Sequence, residues 1–169
     1  VSNLSHKRVE SAGELLQLHH REDFALDERT YFEIVDRKTA ALIATSCELG
    51  AARSGASKEI SDRLAQYGRK LGVAFQIQDD VLDLTGEERV VGKTLGKDLE
   101  KGKLTLPLIH HLASVSGKDR GKSLLLLEEA SEGHANSADA ASTLRRSVVE
   151  TGSLDYAKSV ALRLVSEAK

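Results

Sequence analysis

Apolar residues recur along this chain at the three- and four-residue spacing of α-helices almost throughout. That period predicts helices near 6–20, 28–52, 57–85, 104–114, 119–133, 136–151 and 153–168, and no run of alternating β-branched residues is long enough to compete as a strand. The single proline, Pro107, suits the first turn of a helix with Thr105 ahead of it as N-cap, and Gly152-Ser153 reads as one helix stopping and the next starting. No internal repeat or low-complexity tract breaks the pattern. The expected fold class is therefore all-α, a bundle of antiparallel helices in a single domain over residues 1–169.

One predicted helix carries more than packing. Val73, Ala74, Phe75, Ile77, Val81, Leu82 and Leu84 make the end of the 57–85 segment apolar, yet Asp79, Asp80 and Asp83 sit among them. Asp79 and Asp83 fall about 40° apart on one face, with Gln76 beside them and Asp80 on the flank. Like charges four residues apart weaken a helix, and burying unpaired carboxylates costs several kcal/mol more, so stability alone does not choose this arrangement. A cation is expected there. With oxygen ligands only, and no His or Cys at metal spacing nearby, a hard ion such as magnesium is favoured over zinc. Ala65, Gly68 and Gly72 leave the same side of the helix nearly bare one to three turns earlier, which suits either a close helix contact or the wall of an apolar pocket.

Gly86 to Lys103 follows directly, with glycines at 86, 92, 96 and 102 and lysines at 93, 97, 101 and 103. Glycine frees the backbone and lysine supplies compact charge, so the segment reads as a mobile loop able to close over phosphates. A nucleotide P-loop is excluded, because five residues, not four, separate Gly86 from Gly92-Lys93-Thr94 and the segment follows a helix, not a strand. Lys38 lies mid-helix among Ile34, Val35, Ala40 and Leu42, where it either snorkels to solvent or meets a ligand. Glu14 and Gln17 share a helix face and on their own read as solvated. The adjacent pairs His19-His20 and His110-His111 point to different faces, which favours surface or capping roles over metal clips.

Composition bounds the function classes. Hydrophobic residues make up 40% of the 169, enough for a core, and a net charge of −2 gives no reason to expect nucleic acid as a partner. No apolar stretch approaches the roughly 20 residues of a transmembrane segment. The lone Cys47 cannot form an internal disulfide and is expected as a small buried side chain in a reducing, cytoplasmic setting.

Taken together, these residues resemble the trans-type (head-to-tail) isoprenyl diphosphate synthases, the family of farnesyl, geranylgeranyl and longer polyprenyl diphosphate synthases. Phe75-Gln76-Ile77-Gln78-Asp79-Asp80-Val81-Leu82-Asp83 is similar to that family's second aspartate-rich motif. Gly92-Lys93-Thr94-Leu95-Gly96-Lys97-Asp98-Leu99 and Gly102-Lys103-Leu104-Thr105-Leu106-Pro107-Leu108 are similar to the segment after it, Lys38-Thr39-Ala40-Ala41-Leu42 to a preceding helix, and Gly13-Glu14-Leu15-Leu16-Gln17-Leu18 to the helix before that. The resemblance implies the isoprenoid synthase bundle, incomplete on its N-terminal side, because the family's first aspartate-rich motif has no counterpart here. It implies magnesium held by Asp79, Asp80 and Asp83; catalytic roles for Asp79, Asp83, Lys38 and Lys93; and substrate contacts from Lys38, Thr39, Gln76, Lys93, Lys103 and Gln17. The implied reaction condenses isopentenyl diphosphate with an allylic diphosphate, in a homodimer. A chain without the first motif is expected to be inactive alone. The alternative is a non-catalytic subunit of a heteromeric synthase.

Overall fold

The computed structural model describes residues 25–85, 96–131 and 136–169, and among them no strand occurs. In order come α1 (Glu28–Val35), a π-helical turn (Asp36–Ala40), α2 (Ala41–Arg53), the long α3 (Lys58–Thr85), a single turn α4 (Lys97–Glu100), α5 (Leu106–Ser114), α6 (Gly117–Ser131), α7 (Ser137–Glu150) and α8 (Ser153–Ala168). The all-α expectation holds, and the expected boundaries fall within a few residues of those observed. The expected helix near 6–20 lies outside the described residues. The helix expected at 28–52 is instead interrupted by the π turn, which a 3.6-residue pattern does not reveal because one extra residue per turn barely disturbs it.

Helix starts follow side-chain chemistry. Ser57 Oγ accepts the Ile60 amide at 3.3 Å ahead of α3, and Ser116 Oγ accepts the Asp119 amide at 3.2 Å ahead of α6. Thr105 occupies the N-cap of α5 with extended backbone and Pro107 sits in the first turn, but the Thr105 hydroxyl makes no cap bond and is buried with no hydrogen-bond partner among the described residues. Gly152, at φ 69°, turns the chain between α7 and α8 in a conformation that L side chains avoid.

The chain divides into two compact units, and the division falls inside α3. The described part of the first comprises Arg29–Gln76 and Val160–Lys169. Here the bare stripe proves to be a helix contact. A Cβ on Gly72 would stand 2.7 Å from Ala40 Cα, and one on Gly68 would stand 2.8 Å from Cys47 Sγ and 2.9 Å from the Ile43 carbonyl. Cys47, expected to be buried, is half-buried, with its sulfur toward Gly68. A different face of α3 is apolar and open: Ile60, Leu64, Tyr67, Leu71 and Phe75 are all exposed within about 80° of arc.

The second unit holds residues 25–28 and Ile77–Ser159. Its core is built on Ile77, Val81, Leu84, Leu99, Leu106, Leu108, Leu127, Leu144 and Val148, each at most 1% exposed and each worth about 1.5–3 kcal/mol of transfer free energy. α5 is buried nearly all round, which corrects the surface or capping role expected of His111. His111 is 2% exposed, its Nδ1 3.0 Å from Thr151 Oγ1 and its Nε2 2.8 Å from Ser123 Oγ. Thr151 Oγ1 lies 3.1 Å from the Ser147 and Val148 carbonyls, to which it donates. It therefore accepts from His111 Nδ1–H, and Ser123 donates to the unprotonated Nε2. His110 stacks on Tyr156 with ring centroids 4.0 Å apart and lies 2.9 Å from Ser153 Oγ. Among the described residues no helix is long and apolar enough to cross a membrane.

Candidate functional site

The last turns of α3 carry the three aspartates into the second unit. Asp80 is fully buried and Asp83 is 5% exposed, whereas Asp79 is half-buried. Lys103, on the stretch after α4, places its ammonium 3.0 Å from Asp80 Oδ1 and 3.0 Å from Asp98 Oδ2. Burial works against a charged lysine, but the carboxylates of Asp80 and Asp98 outweigh it and raise the Lys103 pKa above its ordinary value. Lys103 is thus fixed as a cation against the buried end of the aspartate run. The sequence places it in a loop, and in the structure residues 96–103 of that loop form a hydrogen-bonded stretch around the single turn α4.

What folds them is a left-handed turn at Gly96, φ 76°, whose amide donates to the Asp83 carbonyl at 3.0 Å. Two residues on, the Asp98 amide donates to Asp83 Oδ2 at 3.1 Å. The Lys103 amide closes the stretch by donating to the Asp98 carbonyl at 2.8 Å. Asp98 was quoted in the motif but given no role from sequence. Its spacing from the aspartates, 15 residues from Asp83, gives no periodic signal.

In the first unit, Lys38 and Thr39 lie in the π turn, both half-buried, and Thr39 Oγ1 donates to Gln76 Oε1 at 3.0 Å. π turns inside helices are frequent at functional positions, since the extra residue redirects side chains that an α-helix would aim elsewhere. Gln76 is thereby oriented by Thr39 one helical turn before Asp79. Lys93 and Gln17, together with the rest of the expected loop from Gly86, lie outside the described residues.

The donor set fits a hard divalent cation, since every candidate ligand is a carboxylate oxygen. Among the described residues no three His, Cys, Asp or Glu side chains form a group that could hold a metal ion by themselves. Magnesium does not ask for that: it is commonly held by one or two carboxylates, with substrate phosphates and water completing the shell.

A sequence model described as polyprenyl synthetase matches residues 6–144. The chain belongs to the polyprenyl synthetase family. It is 41% identical over 143 residues to the geranylgeranyl diphosphate synthase of Methanosarcina mazei, covering 84% of this chain and 41% of that protein. To the geranylfarnesyl diphosphate synthase of Aeropyrum pernix it is 33% identical over 159 residues, covering 94% and 48%. The fold superposes on the crystal structure of a polyprenyl synthase from Caulobacter crescentus, complexed with calcium and isoprenyl diphosphate. The TM-score is 0.88 at 33% identity, over 98% of this chain and 49% of that one. This polyprenyl synthetase chain therefore spans about half the length, or somewhat less, of the relatives it matches.

Proposed function

We propose that this polyprenyl synthetase chain supplies the second aspartate-rich half of a magnesium-dependent trans-prenyltransferase, which condenses isopentenyl diphosphate with an allylic diphosphate to lengthen a polyprenyl chain. The observation that carries the reading is the aspartate run at the end of α3, with its buried member neutralised by Lys103, in a family whose relatives are named as prenyl diphosphate synthases.

Asp79 and Asp83 are the ligands through which magnesium is held, with Asp80 contributing directly or through water. Bound there with the allylic diphosphate, magnesium supplies Lewis-acid stabilisation of the leaving group. The chain's own residues do the rest. Lys38 and Lys93 pair with diphosphate oxygens, and Lys103, while bonded to Asp80 and Asp98, adds positive charge for the same anion. Thr39 orients Gln76, and Gln17 lines the substrate side. As the allylic carbon–oxygen bond breaks, the electron pair leaves with diphosphate; the isopentenyl double bond attacks the allylic carbon, and proton loss restores the alkene. The apolar flanks of the site serve to keep water from the cation.

The test is Asp79→Ala in the intact synthase. Since Asp79 acts on charge that develops as the bond breaks, kcat should fall ~10²-fold or more while KM for isopentenyl diphosphate changes little. A fall of less than about threefold removes Asp79 from the metal site, because one preorganised electrostatic element is worth far more.

A further inference from the structure

We propose that Asp98 is a positioning residue of this synthase, one that holds Asp83 and Lys103 in register with each other without itself touching metal or substrate. The inference rests on the reading above, in which Asp83 is a metal ligand and Lys103 a diphosphate contact.

Three separate groups of Asp98 are committed. Its amide donates to Asp83 Oδ2 at 3.1 Å, its carbonyl accepts the Lys103 amide at 2.8 Å, and its carboxylate accepts from Lys103 Nζ at 3.0 Å. The amide bond fixes one oxygen of Asp83, which biases the rotation of that carboxylate and so the direction its other oxygen faces. The carboxylate gives Lys103 a second acceptor beside Asp80. With both oxygens 3.0 Å from Nζ, the ammonium is held between two partners and does not collapse onto the buried one. Asp80 is fully buried and Asp98 only slightly exposed, so water competes poorly for the lysine at either end. Gly96 sets the approach: its left-handed backbone delivers the Asp98 amide to Asp83, and a Cβ there would meet the Arg145 guanidinium at 3.4 Å.

The side chain and the charge of Asp98 are separable by mutation. Asp98→Ala and Asp98→Asn remove the same charge, but asparagine keeps a carbonyl oxygen where Lys103 finds its acceptor. Positioning predicts that the two differ; a long-range field effect predicts that they do not. The probe is manganese with inorganic pyrophosphate, followed by the loss of the free-manganese signal in electron paramagnetic resonance on the intact protein, alongside circular dichroism and melting to correct for folded fraction. Asp98→Ala should weaken manganese–pyrophosphate binding about tenfold, the scale of one charge-assisted hydrogen bond, and Asp98→Asn should recover most of that loss. Glu100→Gln, exposed on the same turn, should bind like the unaltered protein. Equal weakening by both Asp98 variants, binding by Asp98→Ala within about twofold of the unaltered protein, or a loss explained wholly by unfolding overturns the proposal. If the unaltered protein itself fails to bind manganese–pyrophosphate, the metal reading falls and this inference with it, an outcome distinct from binding that ignores Asp98.

Discussion

Replacing Lys103 by methionine should take from a buried carboxylate the ammonium that faces it. Asp80 is fully buried and takes Lys103 Nζ at 3.0 Å, while methionine offers similar volume and no charge. Removing one partner of a buried ion pair costs about 3–5 kcal/mol, because the survivor keeps its desolvation penalty and loses its compensation. The Lys103 side chain is a quarter exposed, so water reaches the vacated position in part and the loss should fall below that range, at about 2–3 kcal/mol. For a chain of this size that lowers Tm by roughly 5–10 °C, out of a total stability of about 5–15 kcal/mol. Urea unfolding followed by circular dichroism, with calorimetry beside it, measures the loss. The second arm is Lys103→Met with Asp80→Asn. An amide at position 80 carries no charge to strand, so the double variant should recover most of the stability. A single variant within about 0.5 kcal/mol of the parent, or a double variant no better than the single, would refute the claim that Lys103 compensates Asp80.

Two further outcomes follow from packing and protonation. Gly72→Ala forces a methyl group to within 2.7 Å of Ala40 Cα, backbone that cannot swing away, and should cost about 1–3 kcal/mol; Gly121→Ala, inside α6 with nothing within 4 Å, should instead stabilise by about 0.5–1 kcal/mol, and thermal melts of the pair check both signs. His111 is held below the ordinary histidine pKa by burial first and by neighbouring His110 second, so its contribution is complete above about pH 6.5, where the unfolded chain is also neutral. Below that the unfolded state takes the proton first, so Tm should fall as pH drops from about 7.5 to 5.5, and His111→Gln should flatten that slope; a slope unchanged by the substitution counts against it.

Much of this was legible in the sequence because helical periodicity is a local signal. α3, α5, α7 and α8 fall nearly where their apolar spacing puts them. The aspartate run was legible for a different reason: three carboxylates in an apolar helix are unfavourable enough to demand a cause. What the sequence hid depends on partners distant along the chain. Nothing local marks Asp98 as the residue that reaches Asp83 and Lys103, and nothing local says that His111 faces Thr151 and Ser123 across 40 and 12 residues. The π turn at Lys38-Thr39 was hidden because one added residue leaves the apolar spacing almost intact. The glycine stripe admitted two readings, and only the approach of Ala40 and Cys47 decides for a helix contact.

The demand for a cation at the aspartates has a divided answer. A fully buried carboxylate cannot depend on an ion that dissociates, because each departure would leave an uncompensated charge where water does not reach. Asp80 is in that position, and the protein answers it with Lys103, a cation tied to the same fold by its own backbone bond to Asp98. A half-buried carboxylate is under no such constraint, since water can hydrate it between binding events. Asp79 is in that second position. Asp83, 5% exposed, has one oxygen satisfied within the fold by the Asp98 amide, so it is the difference in burial between the neighbours Asp79 and Asp80 that separates two roles within a single motif. Asp80 keeps a permanent internal cation, and on the proposed function the more accessible Asp79 is the member suited to an exchangeable one.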